Sequence, residues 1–496
     1  MTLKITVLAL YALLVVVVGV VGSRKTRTFD DFMLGGGAVG PWMSAFSYGT
    51  AYFSAVLFIG FAGKLGWSFG FSSLWLALGN ALIGTLLVWW LIGDRIRIYA
   101  EKHRIHTMPE FLEKRYDSPF LKFFSSLATF LFFIPYSAAV FMGLSYLFTS
   151  TFDIRFEYIL LFMGVFTAVY LALGGYKSMA FIDVIFGMIM TVGVVALVFT
   201  CVEKAGGLAA VVDRMKAIDP RLVAPVGPPG IIPLVSLVIL ISVPPLAMPQ
   251  LVQKFYAIRD RRSIRIGMFA STFFALVVAG IAYFTGSLTR LFVTPRTNPE
   301  VFSANAAGKL LPNYDMLMPE LLSNVVSEGL SVLILLLILA ASMSTLAALV
   351  LISSSAVSKD IYAGFIAKNP DDRKLTFLMR ASSVSFILLA MALAYFKPAF
   401  IVTILVISWG AIASVFLGPF LWGLFAGNRF ANRAGAVAGS VGGLAVCLVL
   451  FALMGRAQVP LAGCLGMLAS VVLVPIFSLL SGGGNRAATA SATQNN

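Results

Sequence analysis

Charge is what this chain has least of. Only 11% of its 496 residues are Asp, Glu, Lys or Arg, while 59% are hydrophobic. A soluble domain carries about a quarter charged residues, so a water-soluble globular protein is excluded. Histidine occurs only at His103 and His106, in one charged loop, too few for a zinc centre. The three cysteines, Cys201, Cys447 and Cys464, lie in or beside apolar runs and read as small buried residues, not as a disulfide or a metal site. No nucleophile–base pair or ligand cluster stands out, which argues against an enzyme and calls for no cofactor.

What charge there is leans one way, with 36 Lys and Arg against 21 Asp and Glu, a net +15. In a soluble protein this would raise nucleic acid as a partner. In a chain this apolar it reads as the basic excess of cytoplasmic loops, with the lipid bilayer as partner. Repeated apolar runs of about 20 residues predict an all-α integral membrane protein. Thirteen spans can be marked: 5–22, 41–63, 71–93, 120–150, 157–174, 181–203, 231–253, 266–292, 329–357, 376–396, 399–425, 434–454 and 460–481. The first run is long for a secretory signal core, and its basic cluster "SRKTR" follows it, so it reads as a membrane helix.

Charge gives an independent test of topology. Alternating the spans from an outside N-terminus puts 22 Lys/Arg in cytoplasmic segments and 11 outside, with Lys122, Arg290 and Arg380 inside spans. That excess predicts a multi-pass protein of the cell membrane, N-terminus outside and C-terminus cytoplasmic. The segment "KFYAIRDRRSIR", which begins at Lys254, is one of the densest inside loops. Residues 1–482 read as a single transmembrane domain, and 483–496, small and polar, as a disordered cytoplasmic tail.

Two spans are poorly suited to continuous helix. The second has Gly49, Thr50 and Ser54 near its middle; the seventh has Pro244, Pro245 and Pro249. Breaks at membrane depth are tolerated where the freed backbone lines a cavity or is covered by protein. The seventh span comes five after the second, the pattern of a transporter built from two inverted five-helix repeats. Two independent kinks would look the same on spacing alone.

Span 9 carries hydroxyls beyond what a lipid helix needs. Ala341, Ser344 and Thr345 stand at i, i+3 and i+4 and share one face. Adjacent hydroxyls with an opened carbonyl supply part of the oxygen shell of a small hard cation. The same small and hydroxylated residues also serve helix–helix packing.

Taken together, the chain resembles the sodium:solute symporters. The resemblance runs through "FDDFMLGGGAVGPWMSAFSY", "FSAVLFIGFAG", "TMPEFLEKRYDS", "LGGYKSMAFIDVIFGMIM" and "LAASMSTLAALVLISSSAVSKDIY", in that order. It implies a LeuT-type fold of two inverted repeats, 41–203 and 231–425, with span 1 and spans 12–13 peripheral. It implies a sodium site made by the carbonyls of Thr50, Phe53 and Ala341 and the hydroxyls of Ser344 and Thr345. The function implied is sodium-coupled symport of a small organic solute by alternating access.

The chain also departs from its relatives' patterns. Gly37 stands where proline-type members have arginine, Tyr52 where they have aspartate, and Ile241 and Pro245 where they have aromatics. Val56 and Leu57 stand where sugar-type members have an acid–amide pair. Proline and sugar specificity are therefore not expected. Asp183 is open to two readings: a station on the ion path, or an interfacial acid paired with Lys177 or capping the start of span 6. The solute is expected beside Tyr52, Ser54, Pro245, Met248 and Pro249, among hydroxyls and free backbone without fixed charge. A small carboxylate or amino acid suits such a pocket. The rivals are a proton-coupled carrier using Asp183 and, from another class, a channel or membrane sensor.

Overall fold

The computed structural model describes residues 2–23, 33–35, 39–173, 176–304, 308, 310–367 and 371–482. Gly37, the 483–496 tail and the side chain of Lys177 lie outside the described residues.

Eleven helical segments among the described residues are long and apolar enough to cross a membrane. One of them, Val56–His103, reverses at Gly70, whose φ of 59° is a left-handed conformation that glycine adopts without strain. Dividing it there and adding Phe156–Leu173 gives thirteen passes, as the hydropathy predicts.

Their ends follow local chemistry. Span 4 runs unbroken from Pro119 to Phe152 and tolerates Pro135 within. It starts where the Ser118 hydroxyl accepts the Leu121 N–H, and stops where Asp153 turns left-handed at φ 52°. Span 9 passes its predicted end and winds on as a π-helix, Ala356–Ile366. Span 7 also ends later than hydropathy places it. Its second half is Pro249–Tyr256, so Lys254 is not a loop residue but a buried one on a membrane helix.

Both expected breaks are present. The second span is helical over Pro41–Tyr52, extended at Phe53, and helical again from Val56. The seventh is helical over Ile231–Ser242, tightens into a single turn at Pro244–Leu246, and resumes at Pro249. Beyond their helical halves the two broken spans are tied together. Val39 N–H donates to the Ala257 carbonyl at 3.0 Å, and Arg259 N–H donates to the Val39 carbonyl at 3.2 Å.

Burial separates centre from rim. In the most apolar stretch of spans 9 and 11, 89% of residues are buried, against 17% in span 1 and 22% in span 12. Spans 9 and 11 are therefore the inner pillars, and the outer helices turn Phe199, Phe269, Leu453 and Trp90 outward, as a lipid-facing surface requires. Spans 2 and 8 meet backbone to backbone, because a Cβ on Gly66 would lie 2.3 Å from the carbonyl carbon of Gly286. Between spans 8 and 9, strands Phe302–Ala304 and Leu310–Pro312 pair antiparallel, with Phe302 opposite Pro312. Cys201 and Cys447 are buried, and Cys464, half-buried, donates to the Ser236 carbonyl.

Candidate functional site

The break in span 2 is held open by hydroxyls. In a continuous helix the N–H groups of Ala55 and Val56 would close on the carbonyls four residues back. Here Ala55 N–H donates instead to the Ser342 hydroxyl of span 9 at 3.0 Å. Val56 N–H donates to the Ser54 hydroxyl at 3.2 Å. Ser342 passes its own proton to the Ile338 carbonyl at 2.6 Å. The carbonyls at the end of the first half-helix are thereby released from helix bonding.

Those carbonyls face the hydroxyl-bearing turn of span 9. The Thr345 hydroxyl lies 3.2 Å from the Thr50 carbonyl, 3.3 Å from that of Ala51, and 3.1 Å from that of Ala341. The Ser344 hydroxyl lies 2.9 Å from Oγ1 of Thr50, which itself donates to the Phe46 carbonyl. Thr50, Ala341, Ser344 and Thr345 are thus brought together, all buried. Phe53, the fifth expected ligand, is the extended residue of the break (φ −109°, ψ 118°). Ala51, which the sequence did not single out, adds a carbonyl. Neutral carbonyl and hydroxyl oxygens in a dry pocket suit a small hard cation. Of the later hydroxyls of span 9, three bond to their own helix: Ser354 to Val350, Ser355 to Ile352 and Ser358 to Ser354.

Asp183 is buried and does not cap the start of its helix. Span 6 begins at Tyr176, and Asp183 lies two turns in, 2% exposed. Its Oδ2 accepts from the Ser47 hydroxyl at 2.7 Å, and it faces Ser344, Thr50 and Lys254. Lys254 donates to the same Ser47 hydroxyl at 2.9 Å. Sequence reasoning missed this lysine because it sits at the edge of a hydropathy window, where a loop charge is the ordinary reading.

A cavity adjoins the break on the other side. Tyr52, Phe53 and Ser54 from span 2 line it, with Asn80, Tyr136, Ile241, Tyr283 and Trp409. It is narrow, with a cavity volume of about 20 Å³. Among the described residues, no charged side chain lines it. The rings of Tyr52 and Phe53 stack at 4.6 Å, and those of Tyr52 and Trp409 at 5.9 Å. The Tyr52 hydroxyl lies 2.8 Å from the Ile241 carbonyl and 2.9 Å from the side-chain oxygen of Asn80. Among the described residues, two buried donors, the Tyr283 hydroxyl and Trp409 Nε1, make no hydrogen bond of ordinary length, though Asn80 and Tyr136 lie close to them. Of the residues expected around a solute, Tyr52 and Ser54 are in this wall; Pro245, Met248 and Pro249 are buried but do not line it, and span 7 contributes Ile241.

The profile of the sodium:solute symporter family matches residues 32–443. The chain belongs to this family. As a sodium:solute symporter it is a multi-pass membrane transporter that couples sodium to the movement of a small solute. Among its relatives, a sodium/proline symporter of Salmonella typhimurium is 28% identical over 451 residues, covering 88% of this chain and 85% of that protein. A sodium/pantothenate symporter of Escherichia coli is 28% identical over 505 residues, covering 97% and 96%. Among solved structures, a Na+-coupled sialic acid symporter superposes with a TM-score of 0.80 at 20% identity, covering 97% of this chain and 98% of that one. Mhp1, a nucleobase-cation-symport-1 family transporter, superposes at 0.54 with 14% identity over 88% and 92%. These likenesses give the symporter its LeuT-type, inverted-repeat fold.

Proposed function

We infer that this symporter binds sodium between the break of span 2 and the Ala341–Thr345 turn of span 9, and carries a small carboxylate or amino acid into the cell in the cavity alongside. One observation carries the reading: a single broken stretch, Thr50–Ser54, forms a wall of both sites. Its carbonyls at Thr50 and Ala51 face Thr345, and its next residues, Tyr52 to Ser54, line the cavity. Phe53 completes the sodium shell once the ion draws its carbonyl inward.

The chemistry of the cavity narrows the solute. Aromatic rings take an apolar body, and the unpartnered Tyr283 and Trp409 donors take acceptor oxygens. A buried donor without an acceptor costs about 1–3 kcal/mol, so a ligand that brings oxygen gains on binding. The names of two relatives, for proline and pantothenate, both point to carboxylates. The repeats are taken as 41–203 and 231–425, the N-terminus as outside, the C-terminus as cytoplasmic, and the membrane as the plasma membrane. The basic excess of the inside loops supports this placement.

The experiment is a screen of small carboxylates and amino acids in proteoliposomes under an imposed sodium gradient. Saturable uptake that collapses when choline replaces sodium is the expected result. Uptake driven by a pH gradient and indifferent to sodium would favour the proton-coupled rival built on Asp183. Flux that never saturates would favour a channel.

A further inference from the structure

Lys254 sits where a sodium-binding transporter has least use for a second cation. It is 2% exposed, on the second half of broken span 7, with its ammonium 5.0 Å from the centre of the Tyr176 ring. Its hydrogen bond goes to Ser47 of span 2, and that hydroxyl donates to Asp183 of span 6. Ser344 of span 9 and Thr50 of span 2, both residues of the candidate sodium site, lie close enough to act on the Asp183 carboxylate. A single chain of polar groups therefore runs from ammonium to carboxylate to the candidate ion site, across four spans.

We propose that Lys254 is a tethered counter-ion of Asp183 that competes with sodium for the same carboxylate, so that the protein's own cation weakens ion binding and helps release sodium. The proposal rests on the sodium site inferred above. A buried carboxylate needs a cationic partner. Two are at hand: the bound sodium, close to Ser344 and Thr50, and the ammonium, one hydroxyl away. When sodium is present, Asp183 is shared between them. When it leaves, the ammonium alone offsets the carboxylate, and the ion-free protein is spared an uncompensated buried charge. The Ser47 hydroxyl suits this exchange, because it donates to the acid and accepts from the base without joining them in a closed salt bridge.

The test measures equilibrium binding of radioactive sodium to the purified full-length protein in lipid nanodiscs, without solute. Lys254→Met is expected to bind sodium at least tenfold more tightly than wild type. Asp183→Asn, which leaves the lysine unopposed, is expected to bind at least tenfold more weakly. The double variant should fall between them, and Lys254→Arg should stay within threefold of wild type. Unchanged or weaker binding by well-folded Lys254→Met overturns the proposal. Where Lys254→Met does not fold, the double variant is compared with Asp183→Asn: tighter binding by the double supports competition, and equal binding overturns it. Thr345→Ala separates this from the parent reading. Sodium binding weakened at least tenfold in Thr345→Ala keeps the site where it is placed, whatever Lys254 does; normal binding there removes the site itself.

Discussion

Replacing Thr345 by valine keeps the branched side chain and deletes one oxygen. In the wild-type protein that hydroxyl lies 3.1 to 3.3 Å from the carbonyls of Ala341, Thr50 and Ala51. The first carbonyl belongs to its own helix turn, so what the substitution removes is the link from span 9 to the broken end of span 2. Hydrogen bonds to charged groups are worth about 1.5–3 kcal/mol. On that scale, loss of one hydroxyl ligand lowers sodium affinity by about 10- to 150-fold. The remaining oxygens still form a partial shell, so binding is weakened and not abolished. The side chain is fully buried, so solvent does not replace the lost ligand. The assay is the sodium dependence of solute uptake in proteoliposomes, read as the half-saturating sodium concentration. Thr345→Val should shift that concentration upward by at least tenfold while the protein remains monodisperse. Because coupling is reciprocal, solute affinity measured without sodium should change little, and the sodium-induced gain in that affinity should shrink. A shift below threefold in a folded variant refutes the assignment. Ser344→Ala combined with Thr345→Ala removes two oxygens and should abolish sodium-driven uptake with expression intact.

Three further expectations concern other parts of the molecule. Tyr283→Phe and Trp409→Phe each delete an unpartnered donor from the cavity wall; each should raise the KM for solute about tenfold, leaving sodium binding without solute unchanged. Asp315, in the loop before span 9, accepts the Ile401 N–H at the start of span 11 at 3.1 Å, and burial pushes its carboxyl up to about 7. A carboxyl raised in the folded state contributes stability that is fully present below its unfolded value near 4 and is lost as pH rises through 7. The thermal midpoint of wild type should therefore fall between pH 5 and 8 relative to that of Asp315→Asn; parallel profiles would remove the effect. Gly66→Ala places a methyl 2.3 Å from the Gly286 backbone, where neither helix can yield a side chain; overpacking of this kind costs about 1–3 kcal/mol and should lower the unfolding temperature, while Gly280→Ala, with open space around it, should not.

How much of this was legible in the sequence depends on whether the signal is local. The spans were legible because hydrophobic thickness sets their length, and the breaks because Pro244, Pro245, Pro249 and the Gly49–Ser54 stretch act on their own backbone. The sodium turn was legible because Ala341, Ser344 and Thr345 share a face at helical spacing. Asp183 was legible as a polar residue out of place, but its partner was not. Lys254 pairs with it only through folding, and in one dimension it belongs to the basic run that follows. The cavity wall was hidden for a related reason. Tyr136, Tyr283 and Trp409 lie in apolar runs, where an aromatic lining a cavity reads the same as one facing lipid. Pro245 was expected in that wall because it stands near the break, yet it does not line the cavity, and from span 7 it is the Ile241 carbonyl that meets Tyr52.

Coupling follows from the fact that both sites are made from the same few residues. In the proposed arrangement, sodium at the Thr50 and Ala51 carbonyls holds the first half of span 2 against span 9, and that position fixes Tyr52, Phe53 and Ser54 in the cavity wall. Without the ion, span 9 holds the break only through hydroxyl hydrogen bonds among the described residues, from Thr345, Ser344 and Ser342, and the wall is held less firmly. A ligand moves an equilibrium only by its differential affinity for the two states, so the gain in solute affinity is limited by how much better sodium binds the ordered break. The energy source is separate from that limit. One sodium charge crossing 100 mV releases about 2.3 kcal/mol, enough for about fifty-fold accumulation of a neutral solute. A monocarboxylate carried with one sodium would be electroneutral, and membrane voltage would add nothing to its uptake. Voltage-driven uptake of such an anion therefore requires more than one sodium per cycle, and the dependence of uptake on membrane potential measures the stoichiometry once the solute is in hand.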